Sequence, residues 1–548
     1  MPGYTPPIYD MTLLLDKVLS MTSLGRDDLD TEIVHSILEE AGKLATTVLA
    51  PLNESGDREG AVFAGGTVKT AKNFREAYQQ YQQGGWNSVP FPTDFGGQGL
   101  PWVVSFPIQE MWQSSNMSFG LCPLLNQGAV EALLHHGAKD LQDYYLPKLI
   151  SGEWTGTMNL TEPHAGSDLA LLRTKAERAD DGTYRIFGQK IFITYGDHDL
   201  TDNIIHLVLA RLPDAPEGVK GISLFLVPKF LKDGTRNDVT CVSIEHKLGI
   251  HASPTCTMQF GDKDGAVGYL VGQENEGLRS MFTMMNNARL SVGLQGVAVS
   301  ERALQAAKAY AVERKQGKPL SGGDTVTIDK HPDIERMILT MESLTLAGRG
   351  LAYEAAIFLD KAKMNDPASQ RRVDLMTPVV KAWCTDNAVE VASLGVQVHG
   401  GMGFIEETGV AQYYRDARIL PIYEGTNGIQ ANDLVFRKVI KDDGSALSSW
   451  IQDMKRSAAS SATVTGIEVL EKAMNSILKK AGVPDDAAWV AVPFLNLVGY
   501  VAAGVMLERI AEKDVTKTRI SGFYNRHLLP RIYGLLRMIE GEEFVGRE

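Results

Sequence analysis

The residue pattern changes character twice along this chain, and the change limits the folds open to it. Up to about residue 155, apolar residues recur at three- and four-residue spacing, as in 32–48, 74–83 and 130–149. That spacing predicts amphipathic helices. A loop rich in Pro and Gly, 89–101, interrupts them. From about Trp154 to Gly277 the chain instead shows short runs rich in Thr, Ile, Val and Phe, at 184–187, 190–194, 204–210, 222–227, 239–244 and 255–260. Turn residues separate them, at Asp180-Asp-Gly182, Pro213-Asp-Ala-Pro216 and Asp233-Gly234. This block predicts an antiparallel barrel or sandwich. Long helical periodicity returns in 278–314, 331–362 and 377–399, and the short loops between them suggest a bundle. Lys441-Asp-Asp and Gly444-Ser-Ala-Leu-Ser-Ser read as a boundary, after which the chain is helical again. The expected fold is mainly α with a central β domain. Its segments are a helical domain over 1–155, a β domain over 156–277, a helical domain over 278–440 and a helical extension over 441–548. The 548 residues suffice for three or four domains, at roughly 150 residues each.

Charge and cysteine usage exclude several classes. The formal net charge of −13 argues against a nucleic-acid binder, which needs clustered Lys and Arg to neutralise phosphates. The four cysteines, Cys122, Cys241, Cys256 and Cys384, form no CxxC pair. No zinc site or disulfide framework is expected, and a reducing cytoplasm fits. The N-terminus lacks the basic and apolar regions of a signal peptide. The apolar stretch 487–507 is long enough to span a bilayer. It contains Pro493 and Asn496 and follows Asp485 and Asp486. A buried core helix is the favoured reading, with attachment to a membrane surface as the alternative.

Three strings carry chemistry. The first is Met158-Asn-Leu-Thr161-Glu162-Pro163-His164-Ala165-Gly166-Ser167-Asp168. A Thr, a Pro turn and a Gly-Ser-Asp turn expose N–H groups and hydroxyls suited to an anion or a polar heterocycle edge. The second is Gly188-Gln189-Lys190-Ile191-Phe192-Ile193-Thr194. Two-residue spacing on a strand puts Phe192 and Thr194 on one face. The ring can cover a planar group while the hydroxyl bonds to its edge. The third is Tyr423-Glu424-Gly425-Thr426-Asn427-Gly428-Ile429-Gln430. Gly425 lets a ligand approach the backbone, and apolar Ile419-Leu-Pro-Ile before it would raise the Glu424 pKa. Taken singly, each string also reads as ordinary structure: a β-turn, a half-buried strand and a surface helix cap.

The strings together, in this order on a helix–β–helix layout, resemble the acyl-CoA dehydrogenase family from about residue 80 to 440. The resemblance includes Gly96-Gly-Gln-Gly-Leu100, Lys247-Leu-Gly249, Asn287-Ala-Arg289, Glu313-Arg-Lys315 and His399-Gly-Gly-Met-Gly-Phe404. The start of the chain, the string Glu245-His-Lys-Leu-Gly-Ile-His-Ala-Ser-Pro-Thr255 and the extension are similar to a subgroup of 3-(methylthio)propanoyl-CoA dehydrogenases and related bacterial enzymes. The resemblance implies a β-barrel, a four-helix-bundle domain and bound FAD. It implies that Thr161 and the backbone of Met158 and Leu160 bond the flavin edge. Phe192, at the family's usual Trp position, would cover the ring, Ile193 counts with it as a cofactor contact, and Thr194 would approach N5. Ser167 would serve the pyrophosphate or the pantetheine chain. Arg314, Gln397, Gly400 and Gly401 match positions that meet FAD across a dimer interface, and Thr426 would lie near the adenosine half. Arg–phosphate pairing gives the physical reason for that arginine. Ser253, Asn286, Arg289 and Gly425 match acyl-CoA contacts. The chain departs from the family at Asn286, where Asp is frequent, and in the shortened Arg314-Lys-Gln-Gly317.

The same resemblance implies a reaction. Glu424 would take the α-proton of an acyl-CoA thioester, the β-hydrogen would leave as hydride to the flavin, and the product would be a trans-2-enoyl-CoA. The backbone N–H of Glu424 would help hold the enolate oxygen. Some family members carry the base beside the Arg289 position, but here that neighbour is Ala288. The substrate is either a straight-chain fatty acyl-CoA or 3-(methylthio)propanoyl-CoA. The expected partners are an electron-transferring flavoprotein and a second copy of the chain in a homodimer. An acyl-CoA oxidase using O2 is the alternative, and a non-catalytic acyl-CoA-binding protein a more remote one. An NAD-dependent Rossmann enzyme is disfavoured, since no GxGxxG opens a helix after a strand.

Overall fold

The β block closes into a barrel. A computed structural model describes residues 3–26 and 29–541, with the side chains of Thr283, Met284 and Asn286 outside the description. A hairpin near the N-terminus supplies β1 (Val62–Ala64) and β2 (Thr67–Lys69). The larger sheet contains β3 (Thr155–Asn159), β4 (Lys175–Arg178), β5 (Tyr184–Thr194), β6 (Ile204–Arg211), β7 (Ile222–Pro228), β8 (Val239–Ile244), β9 (Thr255–Phe260) and β10 (Ala266–Val271). Strands β4, β5, β10, β7 and β6 pair in a closed ring, and β9 and β8 continue from β5. The run pattern predicts antiparallel pairing, and most of the sheet follows it, with two exceptions. β3 runs parallel to β6, and β4 meets β6 in parallel at Lys175 and Arg211. The barrel core is apolar, with Ile186, Val208, Phe225, Val227 and Phe260 fully buried.

The runs 184–187 and 190–194, separate in the sequence pattern, are one strand. Its first half pairs with β4 and β10 and its second half with β9. Gly188 makes that transition at φ 147°, where a Cβ would lie 2.6 Å from the Thr174 hydroxyl. Only glycine fits there. Five strands escape the sequence pattern: β1 and β2, a hairpin inside the segment expected to be helical, and β3, β4 and β10; β3, Thr-Gly-Thr-Met-Asn, is buried throughout despite its polar residues.

By compactness the described chain forms two units, one of residues 1–43, 102–114 and 289–548, the other of residues 44–101 and 115–288. The segments read from the sequence follow texture, whereas compactness groups 441–548 with the bundle helices. In the first unit the long helices are Pro332–Lys363 and Pro367–His399, together with most of Gly277–Glu313. Arg349 is 1% exposed and bonds Glu110 at 2.7 Å and Glu301 at 2.7 Å, with Tyr353 donating to Glu110. Such a buried set is stable only while every member is present.

The apolar stretch of the extension is helix Ala491–Lys513. It is long and apolar enough to cross a membrane, yet 83% of its apolar window is buried inside the protein. It packs on helices Pro332–Lys363, Pro367–His399, Ser461–Lys479, Thr518–His527 and Arg531–Glu540. That packing favours a core helix. Gly499 sets its approach to helix Pro367–His399: a Cβ there would lie 2.3 Å from Trp383 Cδ1, and Trp383 is fully buried. Gly499→Val is expected to lower the unfolding free energy by about 1–3 kcal/mol by overpacking. A denaturant titration checks this, and an unchanged midpoint would contradict the close packing.

Candidate active site

Glu424 lies in a short turn between helices Val410–Ala417 and Asn427–Asn432. Its φ is +55° and that of Gly425 is +83°. Two successive left-handed residues are uncommon, and the non-glycine one is strained by on the order of 1–2 kcal/mol. The turn is tied from several sides. The Gln430 amide donates to the carbonyls of Glu424 and Gly425, both at 3.4 Å. Tyr423 donates its hydroxyl to Gln295, whose amide donates to Gln113 at 3.1 Å. Asn427, first in its helix, is held hardest: it accepts from Lys381 Nζ at 2.8 Å and donates to Asp386 at 2.7 Å and Thr385 at 3.0 Å. Among the described residues the Glu424 N–H has no protein acceptor.

The electrostatics suit a base. Glu424 is half-buried, and desolvation pushes its carboxyl above the ordinary glutamate range while Arg289 and Lys381 pull it back. Arg289 is buried with its guanidinium beside Gly425: a Cβ there would lie 3.6 Å from Arg289 Nη2. Burial brings the Lys381 ammonium down to about 7 against the upward pull of Glu424 and Asp386. Sequence reasoning singled out Glu424, Gly425 and Arg289, which the fold brings together. It missed Lys381 and Asp386, and gave no role to Gln430. The available signal was a lone lysine inside the apolar run Pro378-Val-Val-Lys-Ala-Trp383.

The remaining first-unit candidates sit apart from this turn's polar network or serve it structurally. The Thr426 hydroxyl caps helix Asn427–Asn432 by accepting from the Ile429 N–H at 3.2 Å. Arg314, Gln397, Gly400 and Gly401 are exposed, in a region with exposed Leu320, Met402 and Phe404 nearby in sequence. His399 bonds the Gly395 carbonyl at 2.7 Å and stacks on Tyr310. The Asn286 side chain lies outside the described residues.

In the barrel unit the polar loop is anchored from beneath. Lys190 is fully buried, and its ammonium bonds Glu162 at 2.8 Å and the Leu160 carbonyl at 3.0 Å. Glu162 also accepts from the Arg173 and Thr174 N–H groups and the Thr174 hydroxyl. The Ile191 N–H bonds the Thr161 carbonyl at 2.9 Å, joining loop to strand β5. Phe192 sits at a bulge in β5 with φ +60° and is 58% exposed, while Ile193 turns into the core. Thr161 and Thr194 are half-buried, and neither hydroxyl has a protein partner among the described residues. Met158 is buried and Leu160 half-buried. Ser167 is exposed beyond the turn, and His164 contacts the Leu171 carbonyl at 3.1 Å. Ser253 is fully buried with an unpartnered hydroxyl, so its side chain offers no surface to a ligand.

Comparison with known proteins identifies the family. The acyl-CoA dehydrogenase N-terminal, middle and C-terminal domain models match residues 31–153, 157–263 and 275–438. A 3-methylmercaptopropionyl-CoA dehydrogenase of Ruegeria pomeroyi is 46% identical, covering 92% of this chain and 90% of the relative. A butyryl-CoA dehydrogenase of Syntrophomonas wolfei is 38% identical over 81% of this chain and 75% of its own length. A solved acyl-CoA dehydrogenase from Bacillus anthracis, complexed with FAD, superposes with a TM-score of 0.76 at 21% identity, covering 96% of this chain and 91% of that one. The chain belongs to the acyl-CoA dehydrogenase family and is an FAD-dependent oxidoreductase. The barrel unit fits a flavin by its chemistry: two unused hydroxyls and an exposed ring held out of the core at a strained bulge.

The Lys190–Glu162 pair should control that loop. Lys190→Met leaves the buried Glu162 carboxylate without its lysine counter-charge and is expected to destabilise the protein by roughly 3–5 kcal/mol. The same variant should lose FAD on gel filtration, and adding Glu162→Gln should restore part of the stability. Unchanged melting and FAD content would contradict the anchoring role.

Proposed function

We propose that this enzyme dehydrogenates a short acyl-CoA at the α,β-bond, with Glu424 as the base that removes the α-proton. The observation that carries this is the Glu424 turn: a half-buried carboxyl pushed above its ordinary range, flanked by Arg289 and Lys381, on a strained left-handed backbone. A carboxylate that is poorly solvated is a stronger base than one in water. The free N–H of Glu424 would donate to the thioester oxygen as negative charge develops there, which acidifies the α-carbon. Arg289 would meet the polar part of the CoA moiety beside Gly425.

Bound FAD supplies the acceptor for the β-hydrogen and its electron pair. Thr161, Thr194 and the Met158–Leu160 backbone would bond its polar edge, Phe192 with Ile193 beside it would cover it, and Ser167 would reach its phosphate or the pantetheine chain. Arg314, Gln397, Gly400 and Gly401 would serve the cofactor of a second copy, with Thr426 near the adenosine half. The exposure of Leu320 and Phe404 beside those residues supports a homodimer. An electron-transferring flavoprotein is the proposed acceptor.

The two relatives named for 3-methylmercaptopropionyl-CoA and butyryl-CoA support a short acyl group. A methylthio group is close to an ethyl group in size, so an apolar pocket separates such substrates modestly. The test is anaerobic flavin bleaching and kcat/KM on butyryl-, 3-(methylthio)propanoyl-, octanoyl- and palmitoyl-CoA. The first two should differ by no more than about 200-fold, with palmitoyl-CoA below both. Highest activity on palmitoyl-CoA would overturn the short-chain assignment. Stoichiometric hydrogen peroxide in place of flavoprotein reduction would make O2 the acceptor.

A further inference from the structure

Lys381 is a buried cation tied to the Glu424 turn through Asn427. It lies on helix Pro367–His399, is fully buried, and donates one hydrogen bond, 2.8 Å to Asn427 Oδ1. Neither Lys381 nor Glu424 is in a direct ion pair among the described residues. A buried ammonium with no carboxylate against it is an expensive arrangement, and a lysine is not needed merely to hold an asparagine. Asn427 follows the strained Glu424-Gly425 pair by two residues, so a bond to its side chain fixes the end of the base turn.

The charges around Lys381 are few. Glu424 on the base turn and Asp386 on the same helix favour its ammonium, and Arg289 on helix Gly277–Glu313 opposes it. Arg418, beyond helix Val410–Ala417, acts on Asp386, while Asp433 and Arg437 act on Arg289. Helices Pro332–Lys363 and Ala491–Lys513, packed on the same helix, bring no further charge to bear on Lys381. A carboxylate in direct contact with a cation becomes a weak base. A cation set further back helps keep the carboxyl ionised at a smaller cost in basicity.

We propose that Lys381 is a positioning residue of the dehydrogenation, anchoring the base turn through Asn427 and supplying the buried positive charge that holds Glu424 as a carboxylate. This rests on Glu424 as the base. When the α-proton moves to Glu424 the negative charge leaves the turn, and the Lys381 ammonium loses the partner that favoured it. Lys381 and Glu424 therefore titrate as a linked pair.

The test is the pH profile of anaerobic flavin reduction by butyryl-CoA, measured on FAD-loaded wild type, Lys381→Gln and Lys381→Arg. Rate falls on the acid side as the Glu424 carboxylate takes up a proton. Lys381→Gln keeps an N–H donor for Asn427 but removes the charge, so the acid limb should move up by about one pH unit. At high pH that variant should regain the wild-type plateau to within a few-fold. Lys381→Arg keeps a permanent charge, so its limb should stay at or below the wild-type position. An unmoved limb in Lys381→Gln, or a rate lowered by one factor at every pH, would overturn the proposal. If Lys381→Gln is not recovered with FAD, Lys381→Arg decides alone, since an upward shift there is incompatible with a charge role. A wild-type profile with no acid limb would instead remove Glu424 as the base.

Discussion

A carboxylate that is to deprotonate a carbon must leave water far enough to become strong, yet stay ionised until substrate arrives. Those demands conflict, and the surroundings of Glu424 meet both. Desolvation raises its pKa, and two buried cations, Arg289 and Lys381, keep the rise in check. The backbone is held at +55° there by bonds from Gln430 and by the anchored Asn427. The rest of the helical unit provides the rigid frame in which such strain persists. Its closed set of Glu110, Glu301, Arg349 and Tyr353 places charge in the core only where each group is bonded.

The barrel unit uses the same device for a different end. A buried lysine, Lys190, neutralises Glu162 and pins the Leu160 carbonyl, so the Thr161 loop keeps its shape. Gly188 and the bulge at Phe192 let β5 leave one ladder and join another while turning an aromatic ring out of the core. In both units a buried ammonium bonds a loop that the proposed function uses, through Glu162 in one and Asn427 in the other. Glu162, with several donors, is a fully paired carboxylate held below its ordinary range; the Glu424 carboxyl has no direct partner among the described residues and is pushed above its ordinary range.

The order of helical and β texture was legible because period and turn residues report burial directly. The barrel block, the long helices and the buried apolar helix of the extension were readable for that reason. The short strands β3 and β4 were not: Thr155–Asn159 is polar, and its hydroxyls are satisfied by His198 and His206, residues distant in sequence. The loop motifs singled out Glu424, Arg289 and Thr161, which under the proposed function would act through their own side chains. Lys381 and Lys190 would act through the groups they bond, Asn427 and Glu162, and no local spacing announces that. Ser253 resembled a ligand contact in sequence, but the fold buries it completely.

The proposed dehydrogenation depends on Glu424 as the proton acceptor. Anaerobic mixing of the FAD-loaded Glu424→Gln protein with butyryl-CoA tests it most directly, read by visible flavin absorbance and by retention of bound thioester. Gln fills the same space and cannot accept the proton, so the protein should bind FAD and butyryl-CoA while the flavin stays oxidised. Bleaching at a rate near that of the wild type would show that another group removes the α-proton.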